Sequence, residues 1–124
     1  MVRLSKGTLL TYSYFTLDEF KCQQTGENQI SKDFVALLDE LRGLCGFPFV
    51  ITSGYRSPFH TIEASKAVLG MHTKGIAADI AVNNSTDRFI LIDWALSLGF
   101  SGIGIGSDFI HLDTRESKLM WVYS

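Results

Sequence analysis

The stretch His72-Thr-Lys-Gly-Ile-Ala-Ala-Asp79 leaves the backbone few paths. His72 and Asp79 stand seven residues apart with Gly75 between them, so they cannot be neighbours on one helix. A loop carrying His72 and a strand carrying Asp79 is the natural geometry. On such a strand Ala77, Asp79 and Ala81 share a face, while Ala78, Ile80 and Val82 point the other way into a core. An unpaired buried carboxylate is costly, and the small alanines beside Asp79 leave room for an ion. Further along, Phe109, His111 and Asp113 share one strand face, with Ile110 and Leu112 on the other. If the two strands are adjacent, His111 and Asp79 converge on one point and His72 arrives from its loop. Two His and one carboxylate, with a fourth position for water, is the ligand count of a catalytic zinc site. Singly, each residue also has an ordinary explanation, as a hydrogen-bonded surface His or a turn Asp. Spacing alone leaves both readings standing.

The rest of the chain supplies a frame for these residues. Thr16-Leu-Asp-Glu19 has capping-box spacing and predicts a short helix through Phe20 that ends before Gly26. From Ser31 to Cys45, Phe34, Leu37, Leu38, Leu41, Leu44 and Cys45 recur at helical spacing behind a Ser31 cap, and Gly46 with Pro48 stops the run. Phe49–Ser53 reads as a buried strand, Gly54–Pro58 as a loop, and Glu63–Leu69 as a short helix closed by Gly70. Ile76–Val82 is a second strand, and Asn83–Thr86 is a turn that caps another long helix. Phe89, Ile92, Leu96 and Leu98 mark that helix's apolar side, and Gly99 closes it. Gly102-Ile-Gly-Ile-Gly106 lacks the spacing of a dinucleotide fingerprint and reads as a strand that another backbone approaches closely. Phe109–Asp113 and Leu119–Tyr123 complete the strands. Helices come first and most strands later, with short links suited to antiparallel pairing. The expectation is an α+β fold, a small antiparallel sheet packed with helices, in a single domain over residues 1–124.

Composition removes several classes of function. A formal charge of −2 gives no basic footprint for nucleic acid. The basic pair near the motif, Arg56 and Lys74, is better matched to a small anionic substrate. No apolar run is long enough to span a membrane, and the N-terminal stretch lacks the apolar core of a secretory signal. Two cysteines, Cys22 and Cys45, are too few for a disulfide scaffold and too far apart for a zinc knuckle. Cys45 on the apolar face of a helix is also poorly placed for a cysteine hydrolase.

Three ordered motifs, Ser53-Gly-Tyr-Arg56-Ser-Pro, His72-Thr-Lys-Gly-x-Ala-Ala-Asp79 and Phe109-Ile-His111-Leu-Asp113, resemble the zinc D-alanyl-D-alanine carboxypeptidases. That family of cell-wall metallopeptidases shares its fold with the hedgehog signalling domain. Phe15-Thr-Leu-Asp-Glu-Phe-x-Cys22 and the Leu-rich helix also resemble the compact forms carried by bacteriophages. The resemblance implies that His72, Asp79 and His111 hold Zn2+. It implies that Arg56 meets the scissile carbonyl or a substrate carboxylate, with Ser53 and Tyr55 beside it as substrate-binding residues.

By the same resemblance the activity expected is hydrolysis of peptidoglycan stem peptides by metal-activated water, as carboxypeptidase or endopeptidase. A general base is then needed. Sister branches place an acid three residues before the last His, which here is Asp108; Asp113, on the His111 face, is the competing catalytic carboxylate. Gly70 stands where many relatives have Ser, and His60 and Glu63 lie in the loop before the first ligand. A non-catalytic zinc-containing binding domain of the same fold is the alternative. The partner expected is a peptidoglycan peptide, with no nucleic acid, no membrane insertion and a monomeric chain. A wall hydrolase without a leader fits a phage product that stays cytoplasmic until lysis.

Overall fold

The computed structural model describes residues 12–64 and 70–123, with the side chains of residues 63 and 64 outside that description. A 3-10 helix at Leu17–Phe20 precedes α1 (Lys32–Cys45), β1 (Ile51–Ser53), α2 (Thr61–Ala64), β2 (Ala77–Ala81), α3 (Ser85–Leu98), β3 (Gly102–Ile105), β4 (Phe109–Asp113) and β5 (Leu119–Val122). The strands form one five-stranded sheet in the order β1-β2-β4-β3-β5. The expected α+β class is what is observed. The sheet is mixed rather than wholly antiparallel, because β5 runs parallel to β3 while the other neighbours are antiparallel. The expected helix at Glu63–Leu69 falls largely outside the described residues, and α2 begins two residues before it.

The helix ends follow from side-chain chemistry. The Ser31 hydroxyl accepts from the Phe34 amide at 3.1 Å, and Gly46 ends α1 in the left-handed region. Asn84 caps α3 by accepting from the Asp87 amide at 2.8 Å. At the first turn, Glu19 accepts from the Thr16 amide at 3.2 Å, but the Glu19 amide goes to the Thr16 carbonyl, so the turn is 3-10.

The sheet has two unlike faces. Ala78, Ile80, Ile103, Ile110 and Leu112 join a core with Phe34, Val35, Leu38 and Leu41 of α1 and Leu91 and Ala95 of α3. Full burial of each large aliphatic side chain contributes roughly 1.5–3 kcal/mol. The apolar side expected for α3 is corrected here. Phe89 and Leu96 are exposed, and Leu91 and Ala95, with Ile92 and Leu98 partly buried, face inward. Apolar residues surround this helix, so their periodicity alone does not select the buried side.

The opposite face carries the polar chemistry. Asp79 pairs directly with His111 across β2 and β4, and His111 with Gly104 across β4 and β3. The loop bearing His72 is pinned to the start of α1, where the Ser31 amide donates to the Gly75 carbonyl at 2.8 Å. Gly75 has φ +76, and a Cβ there would run into the Gln29 carbonyl. Only glycine satisfies both demands.

Candidate metal centre and cleft

Two strands and one loop bring the expected ligands together: Asp79 on β2, His111 on β4 and His72 in the turn before β2. Ligating atoms of His72, Asp79 and His111 all lie within 4.8 Å of one another. Asp79 Oδ1 stands 3.3 Å from His72 Nε2 and 3.0 Å from His111 Nδ1. The imidazole rings cross edge to face at 5.0 Å. Both His are buried, and Asp79 is partly so.

The far side of each ring decides which nitrogen faces the centre. His72 Nδ1 lies 2.8 Å from the Gly54 carbonyl, an acceptor only, so it carries the proton and leaves the Nε2 lone pair pointing inward. His111 Nε2 donates at 2.7 Å to Asp113 Oδ2, which leaves Nδ1 for the centre. Two inward imidazole lone pairs and one carboxylate fit zinc. An acceptor behind each ring is the usual way such ligands are oriented.

Asp113 is wholly buried and fully committed. Arg115 Nε donates to Oδ1 at 2.9 Å and Nη2 to Oδ2 at 2.6 Å, and the Arg115 amide donates to Oδ1 at 3.1 Å. Gly102 makes this possible, because a Cβ there would occupy the space of the Asp113 carboxylate. Burial works to raise the Asp113 carboxyl, but the bonds from His111 and Arg115 outweigh it and hold it well below the ordinary carboxylate range. The same balance, struck with His111 and His72, keeps Asp79 low. Burial pulls His111 down, and its two carboxylate partners overcome that and raise it.

A cleft of about 310 Å³ opens beside this cluster, lined in part by Arg56, His72, Asp79, His111, Trp121 and Tyr123. Arg56 is oriented by its Nη2 bond to the Ser53 hydroxyl at 3.1 Å, so Ser53 acts through Arg56. Tyr55, expected at the substrate, is instead buried in the core, with its amide bonded to the Phe20 carbonyl at 2.6 Å. The chain turns between Ser53 and Arg56, and Gly54 and Tyr55 pack inward against the 3-10 helix. Asp108 is exposed in the turn before β4 and does not line the cleft. His60 Nδ1 accepts from the Ile62 amide, a local turn contact, and the side chain of Glu63 lies outside the described residues. Cys45 is no nucleophile, since burial pushes its thiol up to about 11.

Arg115, Trp121 and Tyr123 are cleft residues that motif reading missed. The Trp121 ring lies 5.2 Å from that of His111, and the Arg115 guanidinium stacks over Trp121 at 4.8 Å. Their sequence signal is the alternation of Gly102 and Gly104 beside Trp121 and Tyr123. A Cβ at Gly104 would meet both of those rings at 2.7 Å, so side chains, rather than the expected backbone, approach this strand.

No helix among the described residues is long and apolar enough to cross a membrane. No curated protein matches the chain. The peptidase M15 family model matches residues 10–113, a span that holds the three converging ligands, Arg56 and the cleft's β2–β4 wall. The chain therefore belongs to the peptidase M15 family, whose members are generally zinc-dependent metallopeptidases.

Proposed function

We propose that this protein is a zinc-dependent peptidase that cleaves peptidoglycan stem peptides, with His72, Asp79 and His111 as the metal ligands. The observation that carries the reading is the matched pair of acceptors, Gly54 O and Asp113, that turn one lone pair of each imidazole toward Asp79. A surface His pair has no need of such orientation. When bound, the zinc supplies a Lewis acid that polarises a carbonyl and acidifies water.

The chain's own groups do the rest. Arg56, held by Ser53, meets negative charge on the substrate, either the oxyanion that develops at the scissile carbonyl or a terminal carboxylate. Trp121 and Tyr123 wall the cleft with rings and exclude water from one side. Asp113 is a positioning residue, because His111 and Arg115 already occupy its oxygens. Proton transfer is assigned to Asp108, an exposed carboxylate that adjoins the cleft residue Phe109 in the chain.

The deciding experiment is digestion of purified peptidoglycan with the zinc-loaded protein and mass spectrometry of the fragments. New stem-peptide termini that vanish on chelation support the reading. Intact muropeptides beside a fully zinc-loaded, folded protein would return the chain to the binding-domain alternative.

A further inference from the structure

A second groove, of about 570 Å³, adjoins the metal cleft and is larger than it. Met71 and Arg115 belong to the walls of both, so a peptide lying in the cleft runs on into the groove without leaving the surface. Lys74, Thr114, Glu116 and Ser117 also line it. Lys74 belongs to the same turn as His72, which fixes its base relative to the metal centre.

We propose that this groove is a second substrate subsite, which takes a carboxylate on the peptide away from the scissile bond. The inference rests on the peptidase reading and deepens it. Arg115 Nε and Nη2 are committed to Asp113, while Nη1 meets no acceptor among the described residues. Asp113 balances most of the Arg115 charge, so Lys74 supplies the cation that a carboxylate would meet, and the Thr114 and Ser117 hydroxyls supply neutral donors. Glu116 opposes this charge, and among the described residues it forms no ion pair with Lys74 or Arg115. Lys74 and Glu116 therefore act on a bound anion with opposite signs, and that opposition gives the test its control.

The probe is a pair of short peptides alike except for one side chain, glutamate in the first and glutamine in the second. Each is titrated into the zinc-loaded protein at low salt, with binding followed by amide shifts in NMR. The glutamate peptide should bind about 5-fold more tightly, the upper end for an exposed ion pair, and the preference should shrink as salt is added. Shifts should map to residues 114–117. Lys74→Gln should abolish most of the preference, and Glu116→Gln should enlarge it. Both positions are exposed, so both variants are expected to fold. Equal affinity for the two peptides, a preference unchanged in Lys74→Gln, or shifts confined to other segments would each overturn the proposal. Peptidoglycan digestion run in parallel separates the two readings. Cleavage without carboxylate preference removes the subsite alone, and a Lys74-dependent preference without cleavage removes the peptidase reading alone.

Discussion

Replacing Asp113 tests whether the site is built from behind as well as from in front. In Asp113→Asn one oxygen of the carboxylate becomes an NH2. If the remaining oxygen stays at the Oδ2 position, it keeps the His111 bond and that from Arg115 Nη2. The new NH2 then faces Arg115 Nε and the Arg115 amide, which had donated to Oδ1 at 2.9 and 3.1 Å; Nε keeps its 3.1 Å bond to Oδ2, and the amide loses its acceptor. An unsatisfied buried donor costs about 1–3 kcal/mol, and Arg115 is partly exposed, so water relieves part of this. We expect about 1–2 kcal/mol of destabilisation, read as a fall of roughly 5 °C in melting temperature for a domain of this size. Zinc affinity should fall about 10-fold, because a neutral amide still orients the His111 ring but polarises it less. Asp113→Ala removes the acceptor altogether, frees the ring to change tautomer, and should weaken zinc by about 100-fold. Competition against a chromophoric chelator measures both affinities, and circular dichroism confirms that the variants are folded. Wild-type zinc affinity in folded Asp113→Ala would refute the reasoning.

The ligands themselves should behave more severely: His72→Ala, Asp79→Ala and His111→Ala should each lower zinc content sharply by elemental analysis, and full content in all three would end the metal assignment. Chelation of the wild-type protein should lower its melting temperature, because the metal ties a loop to two strands; an unchanged melting curve would show that no such coupling exists. Arg56→Ala should depress turnover with zinc retained, and Arg56→Lys should recover little because an ammonium cannot reproduce a planar two-point contact; full activity in the Ala variant would make Arg56 a surface residue. Asp108→Asn should leave zinc bound and slow hydrolysis by roughly 10²–10⁴-fold, whereas near-normal rates would return Asp108 to plain turn chemistry.

The legible parts of this fold were those fixed by local rules. Ser31, Gly46 and Asn84 marked helix ends through hydrogen bonds to their own neighbours, so no tertiary knowledge was required. The alternation around Asp79 and His111 placed both on one face, and the pairing of β2 with β4 set them opposite each other. Tyr55 escaped because a loop has no period: nothing local says that its backbone passes under the 3-10 helix, where the Phe20 carbonyl takes its amide. Phe89 is exposed although it falls at helical spacing with Ile92 and Leu96, because α3 is apolar on every side and its buried face depends on where α1 and the sheet lie. The direction of β5 was invisible for a related reason. Its link to β4 is short, yet the chain crosses β3 and pairs along that strand's outer edge, a choice made by the partner strand rather than by its own residues.

That choice of partner is what completes the cleft. By pairing with β3, β5 sets Trp121 beside Gly104, which lies opposite His111 on the next strand. With any side chain at Gly104 the indole could not reach the imidazole, and with any at Gly102 the Asp113 carboxylate would lose its place behind the same ring. Two glycines on one strand thus admit, from the strands on either side, the groups that hold His111 in position: a carboxylate that fixes its proton and an aromatic ring that packs against it at a tilt. Their sequence signature looked like a weak strand because glycine packs poorly. In this protein the missing side chains are the space in which the site is assembled.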